Sequence, residues 1–116
     1  MAFAYGKLAE AVALQAAGSD IIDSASGTKY IRSIVLHNVN TTAEVVSLYL
    51  VPDSAGSKGA LSDTTNRFYY ESLPAGSTRI IEITPPGLML VDNHDSIQGK
   101  TTVNSKTLVW VYGGSE

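Results

Sequence analysis

The side chains that could carry chemistry in this sequence are few and widely spaced. There are two histidines, and His37 falls inside a run typical of a β-strand, where a hydrogen-bonded structural role is expected. His94 lies in the acidic stretch 92–95, which could ligate a cation or form a turn in which Asx side chains bond their own backbone. The stretch lacks the alternating acids and terminal Glu of an EF-hand loop. We therefore expect a turn, and no metal site.

Sequence signatures of nucleophilic and phosphate chemistry are also missing. No Gly-x-Ser-x-Gly elbow occurs. Gly56 and Gly59 lack the strand–loop–helix context of a phosphate-binding loop. The 11 acidic residues fall mostly in predicted turns, where solvated charge is the ordinary explanation, so a carboxylate pair for glycoside hydrolysis is not indicated. We expect no enzymatic activity, no catalytic residue and no cofactor.

The aromatic residues offer one candidate contact platform. Strand alternation in the sequence Phe68-Tyr69-Tyr70 directs the first and third rings to one side and Tyr69 to the other. Core packing with a cross-strand pair is the expected role. A platform that stacks sugars or contacts a protein is the alternative. Trp110 lies between two valines and is expected in the core.

Composition narrows the classes of function further. The 116 residues include no cysteine, which excludes disulfides and thiolate metal sites. Net charge is -3 and Lys and Arg do not cluster, so nucleic-acid binding is not expected. No apolar run approaches the ~20 residues that span a bilayer, and residues 11–14 are too short for a signal-peptide core. We expect neither membrane insertion nor export by a signal peptide.

The fraction of charged residues bears on self-association. It is 16%, against about 25% in an ordinary soluble domain. A surface rich in Ser and Thr explains this equally well. A surface covered in part by other subunits is the alternative, and it predicts a homo-oligomer.

Short apolar runs separated by turn residues predict the fold. Their spacing of roughly ten residues is typical of a sandwich or barrel. In the run 45–51, Val46, Leu48 and Leu50 share one aliphatic face. The run 30–39 is apolar on both faces, which predicts a place near the middle of a sheet. The short polar turn between these two runs predicts that they form a hairpin.

The remaining runs complete this pattern. Strands are predicted at 67–72, 79–84, 88–91, 97–103 and 107–112, and a short strand at 21–22. Gly113 and Gly114 are expected to end the last strand. The sequence therefore predicts an all-β protein, an antiparallel β-sandwich of jelly-roll or immunoglobulin-like type with about 7–8 strands.

The N-terminal segment is predicted to be separate from the sandwich domain. We expect residues 1–17 to be an N-terminal arm or an edge strand, and residues 18–116 a single β-sandwich domain. The alanine-rich residues 8–17 could form a short helix, but isolated helices this short are marginal, so a strand is favoured. We predict that Phe3, Tyr5 and Lys7 form an arm that contacts a partner. The alternative is that they extend the first strand onto its own core.

The order of these pieces resembles that of small β-sandwich proteins in the virions of tailed bacteriophages. The matching pieces, within residues 18–112, are Ile31-Arg32-Ser33-Ile34-Val35-Leu36-His37-Asn38, Val46-Ser47-Leu48-Tyr49-Leu50-Val51-Pro52, Phe68-Tyr69-Tyr70, Leu73-Pro74-Ala75-Gly76 and Leu88-Met89-Leu90-Val91, followed by the hydrophobic last strand. The resemblance implies a structural role, first as a capsid decoration (cement) protein that bridges capsid subunits. A tail or fibre-attachment component is the alternative.

The resemblance also implies partners and a location. These are further copies of the chain, most often as a trimer, and the major capsid protein or other virion proteins, in a virion assembled in the host cytoplasm. Nothing in it implies catalytic residues. A rival from another class is a carbohydrate-binding β-sandwich module that uses Tyr69 or the loop 52–66.

Overall fold

A computed structural model of the chain describes residues 4–54, 56–61, 63–83, 88–91 and 94–115. Every regular element in these residues is a β-strand. The strands are β1 (Ala4–Ala13), β2 (Ser19–Asp23), β3 (Lys29–Asn38), β4 (Glu44–Val51), β5 (Asp53–Ser54), β6 (Ser57–Lys58), β7 (Arg67–Leu73), β8 (Thr78–Glu82), β9 (Leu88–Leu90), β10 (Ser96–Lys100) and β11 (Thr107–Ser115). The described residues contain no helix long and apolar enough to cross a membrane.

Two antiparallel sheets account for nine of these strands. Sheet A has the order β1-β11-β3-β8, with β9 also paired to β3, and sheet B has the order β2-β10-β4-β7. The short strands β5 and β6 pair only with each other. The predicted all-β antiparallel sandwich is confirmed.

The order of pairing decides between the two predicted sandwich types. Apart from β5, β6 and β9, the strands form nested pairs in which the first pairs with the last: β1–β11, β2–β10, β3–β8 and β4–β7. The pairings β11–β3 and β10–β4 then join these pairs into the two sheets. Eight antiparallel strands divided in this way between two sheets form a jelly roll. An immunoglobulin-like constant domain divides seven strands differently.

The core lies between the inner faces of the two sheets. It is built from aliphatic side chains that alternate along the strands, with Ile34 and Leu36 of β3 and Val109 and Val111 of β11 on one side. Val46 and Leu48 of β4 face them from sheet B and are fully buried. The predicted aliphatic face of β4 therefore lines the core, and β3 lies inside sheet A as expected.

The predicted hairpin between β3 and β4 is wrong. The two strands belong to different sheets, so residues 39–43 carry the chain from one sheet to the other. The buried side chain of Asn38 stabilises this connection between the two sheets through hydrogen bonds. Its side-chain amide donates to the carbonyls of Thr42 and Leu73 at 3.0 Å, and its Oδ1 accepts from Asn40 N at 2.8 Å. A short polar connection looks the same in sequence whether it turns within a sheet or crosses between sheets.

The last strand does not end at its glycines as predicted, because β11 continues to Ser115. At Gly113 the β11–β3 register shifts, and a Cβ there would lie 1.8 Å from the carbonyl oxygen of Tyr30. Glycine is therefore the residue that lets the strand pass at this bulge.

The N-terminal segment forms an outer strand of sheet A. The backbone of β1 pairs with β11 from Ala4 to Ala13, with register shifts after Lys7 and after Ala9. Ala11 has a positive φ of 48° in the second irregular stretch. The alternative of a short helix within residues 8–17 is therefore wrong, and the predicted strand is present from residue 8 to residue 13 as part of β1.

Candidate functional site

An open cleft lies on the outer face of sheet B. Its volume is about 320 Å³, at the lower end of the range for small-ligand sites. Outward-facing residues of β4, β7 and β10 form its floor, because Ser47 pairs with Tyr70 on one side and with Lys100 on the other. The loop between β6 and β7 adds Asp63 to the rim. The lining is Ala16, Val45, Ser47, Tyr49, Asp63, Arg67, Tyr70, Lys100, Thr101 and Thr102.

Tyr49 anchors the loop that forms one wall of the cleft. It lies on the outer face of β4, yet it is fully buried, and its hydroxyl donates a hydrogen bond to Oδ1 of Asp63. This hydrogen bond lowers the pKa of the Asp63 carboxyl. Partial burial opposes the shift, and the charges of Lys100 and Arg67 reinforce it. Asp63 is therefore an anion at neutral pH.

Two cations flank this carboxylate. The Lys100 ammonium lies 3.5 Å from Asp63 Oδ1 and 5.5 Å from the centre of the Tyr49 ring. Burial lowers the pKa of Lys100, but its contacts with Tyr49 and Asp63 outweigh this and raise the pKa overall. Arg67 Nη1 lies 3.9 Å from Asp63 Oδ1. The cleft therefore carries two positive charges against one negative charge.

Tyr70 supplies the exposed aromatic surface of the cleft. Its side chain is 61% exposed, and the Arg67 guanidinium lies 4.2 Å from the centre of its ring. Such a contact attracts the guanidinium to the face of the ring. A ring and two cations beside an open cleft can bind a polar or anionic ligand.

The aromatic residues 68–70 alternate between the two faces of β7 as predicted. Phe68 and Tyr70 are both exposed, whereas Tyr69 packs against the core. The Tyr69 hydroxyl donates to Glu71 Oε1 at 2.5 Å, and Glu71 in turn forms an ion pair with Arg79 of β8. Burial and the Glu71 carboxylate raise the pKa of Tyr69 to about 12. The expected core role therefore holds for Tyr69, and Tyr70 is the candidate platform.

The outer face of sheet A carries an apolar row, the Trp110–Val35–Ile80 row. These residues are direct cross-strand partners on β11, β3 and β8. Trp110 and Val35 are half-buried and Ile80 is 59% exposed. The prediction that Trp110 lies in the core is wrong, because its neighbours Val109 and Val111 take the inward positions.

A buried carboxylate at one end of the sandwich was not predicted. Glu44 is fully buried. Its Oε1 accepts from Thr101 Oγ1 at 2.8 Å and from Val103 N at 2.9 Å, and its Oε2 accepts from Asn40 Nδ2 at 2.8 Å. Burial alone would raise the pKa of Glu44, but these hydrogen bonds and the charge of Lys106 lower it overall. The sequence gives one indication of this site, which is that Glu44 directly precedes the apolar run 45–51.

The histidines lie outside the cleft. His37 Nδ1 is 2.7 Å from Thr78 Oγ1 on sheet A, in agreement with its predicted structural role. In the stretch 92–95, residues 92 and 93 lie outside the described residues. Asp95 accepts hydrogen bonds from Asp53 N at 2.8 Å and from Val91 N at 3.2 Å. Its carboxylate therefore links the backbone at the start of β5 to the backbone after β9. The described residues contain no group of three potential metal ligands.

The residues of the predicted arm are only partly described. Phe3 and the side chain of Tyr5 lie outside the described residues. The backbone of Tyr5 pairs with Gly114, and Lys7 is exposed and forms an ion pair with Glu10. Residues 4–7 are therefore the start of β1, and a contact with a partner through this segment stays a prediction.

Comparison with known proteins gives no family. No family model and no curated protein matches the chain. Structures with a similar chain path include the Drosophila NLP core, described in terms of pentamer formation and histone binding, with 16% identity over 100% of this chain and 99% of that chain and a TM-score of 0.43. Tobacco streak virus coat protein has 13% identity over 99% and 84% of the two chains and a TM-score of 0.46. The structure of infectious bursal disease virus, Gt strain, has 14% identity over 98% of this chain and 30% of that chain, with a TM-score of 0.32. At these identities and scores the similarity does not bear on function.

Proposed function

We propose that this protein is a structural component of a virion and catalyses no reaction. The observation that supports this best is the Trp110–Val35–Ile80 row, an apolar stripe across three strands of a jelly-roll sheet. Jelly rolls are a common architecture of viral capsid proteins and also of lectins. Large apolar side chains on an outer sheet face are typical of surfaces that other subunits cover.

Within this class we propose a capsid decoration protein that bridges neighbouring capsid subunits. The support is the order of strands and turns, which resembles that of tailed-phage virion proteins, together with the low charged fraction. The partners would be further copies of the chain, with three-fold order implied by the resemblance alone, and the major capsid protein. The location would be the virion, assembled in the host cytoplasm. A tail or fibre-attachment component is the alternative.

The test is to locate the chain on purified particles. Particles assembled in the presence of an epitope-tagged copy are labelled and imaged by electron microscopy. Label spread over the head supports decoration, and label confined to the tail supports the alternative. Particles that carry no label contradict a virion role.

The cleft of sheet B favours a second candidate, a carbohydrate-binding module. Its platform would be exposed Tyr70 with Arg67 and Lys100 beside it. The Tyr69 platform considered from the sequence is disfavoured, since that side chain packs against the core. A glycan array probed with the wild type and with Tyr70→Ala tests this candidate, with Phe68→Ala as a control on the same strand. Binding that Tyr70→Ala abolishes supports it, and an array without binding contradicts it.

A further inference from the structure

The outer edge of β8 differs from the other sheet edges. The strands β1, β2, β7 and β8 end the two sheet orders, and β9 continues the β8 side of β3. The pairings of β1, β2 and β7 each contain a register shift, whereas β8 pairs with β3 without one. Bulges are a common device that keeps sheet edges from pairing with other chains. The regular edge of β8 lacks this device.

The hydrogen bonds to β3 show which backbone groups of β8 face outward. Ile83 N donates to Arg32 O and Asn38 N donates to Ser77 O, both at 2.9 Å. Bonded and non-bonded pairs alternate along an antiparallel ladder, so residues 77, 79, 81 and 83 bond to β3. The N–H and C=O groups of Thr78, Ile80 and Glu82 therefore point away from the sheet. Within the described part of the chain, no strand pairs with this edge.

We propose that β8 pairs with β8 of a second copy of this chain, antiparallel, across a two-fold axis at Ile80. This contact would join two copies of sheet A into one continuous sheet. It gives the self-association of the proposed function a two-fold contact in place of the three-fold order that the resemblance implies, and it rests on that proposal only for its biological setting. A second copy is the natural occupant because the edge is complementary to itself.

Hydrogen bonding and charge select the register. Two-fold symmetry places one residue opposite itself. With Ile80 at the axis, Thr78 faces Glu82 of the second copy and each Ile80 faces the other. All the outward groups are then used, in about six hydrogen bonds. An axis at Arg79 would oppose two like charges. An axis at Ile81 would leave Thr78 without a partner inside β8.

The side chains support the same register. Ile80 is 59% exposed in one copy, and contact with its symmetry mate would cover it. The Trp110–Val35–Ile80 row would then run on into the equivalent row of the second copy. Arg79 already forms an ion pair with Glu71 of the same copy. Arg79 therefore brings no unpaired charge to the contact.

Single cysteines test this register, because the chain has no cysteine of its own. Directly opposed residues have Cα atoms about 5.5 Å apart, which a disulfide can span. Ile80→Cys should give a covalent dimer under mild oxidation. Thr78→Cys is the matched control on the same face, since the two residues 78 would lie roughly 13 Å apart. Equal cross-linking of both variants would overturn the proposed register.

A charge at the axis tests the contact itself. Sedimentation equilibrium of the full chain should show a dimer. Ile80→Lys should raise its dissociation constant at least about tenfold, because two like charges would be opposed. Val103→Lys, at another exposed apolar position, is the control and should leave the dimer intact. A wild-type monomer at high concentration, or a dimer or trimer that Ile80→Lys does not weaken, would overturn the β8 contact. The particle-labelling test above would still decide the virion role by itself.

Discussion

At the scale of single residues, two positions hold the ends of the sandwich. Buried Glu44 gathers three donors from Asn40, Thr101 and Val103, and so ties the 39–43 crossing to the segment after β10. Gly113 lets β11 pass the backbone of Tyr30 where a larger residue would collide. Glu44 acts through its carboxylate and Gly113 through its lack of a Cβ. Single substitutions at either position are therefore expected to lower stability strongly.

Glu44→Ala should lower the free energy of unfolding by about 3 kcal/mol, because it leaves buried donors without their charged acceptor. Urea denaturation at pH 7 measures the change. Glu10→Ala removes an exposed partner of Lys7 and should leave the midpoint nearly unchanged. Equal losses in the two variants would contradict the structural role of Glu44.

The same carboxylate predicts a dependence of stability on pH. The folded-state pKa of Glu44 lies below its ordinary value of 4.5. Its contribution is therefore fully present above about pH 4.5 and is lost as pH falls through the lower, folded-state pKa. The stability difference between wild type and Glu44→Gln should shrink in this acid range. A difference that grows as pH falls would contradict the lowered pKa.

Gly113→Ala should destabilise the protein by about 3 kcal/mol or more, because the added Cβ overlaps the Tyr30 carbonyl oxygen. Gly6→Ala is a matched control, since Gly6 pairs with Gly113 and has no atom within 4 Å of an added Cβ. Thermal unfolding of the two variants makes the comparison. A larger loss of stability in Gly6→Ala than in Gly113→Ala would contradict the bulge at Gly113.

At the scale of elements, β4 shows how one strand serves two surfaces. Val46 and Leu48 line the core, while Val45, Ser47 and Tyr49 line the cleft of sheet B. Tyr49 is fully buried in the cleft, where its hydroxyl bonds to Asp63 of the β6–β7 loop and the Lys100 ammonium lies 5.5 Å from its ring centre. The cleft is thus carried by a strand whose other face is fixed by the core.

Leu48→Ala should cost about 2–5 kcal/mol, the usual range for emptying a buried aliphatic position. Val45→Ala, three residues earlier on the outer face and 37% exposed, should cost well under half of that. Chemical denaturation of both variants measures the difference between the two faces. Similar losses at both positions would place β4 in the wrong orientation.

At the scale of the whole molecule, attachment through the N-terminal segment is open to test. Removing residues 1–3 deletes Phe3 and keeps the residues of β1. Under the arm hypothesis the melting temperature stays nearly unchanged and binding to particles is lost. Tyr5→Ala in the full chain should weaken binding in the same direction, since burying such a ring against a partner contributes roughly 1.5–3 kcal/mol. Particle binding that neither change weakens would contradict the arm hypothesis.

The sequence by itself determined the local pattern of this protein. The alternation along 45–51 identified the core face of β4, the two apolar faces of 30–39 placed β3 inside a sheet, and the absence of cysteine excluded disulfides. These properties depend on near neighbours in the chain, whose side-chain directions a strand fixes with a period of two.

Only the tertiary structure decided which strands meet. The jelly-roll order, the crossing after Asn38 and the cleft around Tyr49 all bring together segments far apart in sequence. Alternation tells which face of a strand is apolar, but it does not tell which sheet the strand joins or which loop covers its outer face. For that reason the apolar character of residues 45–51 was evident from the sequence, while the burial of Glu44 and the exposure of Tyr70 were not.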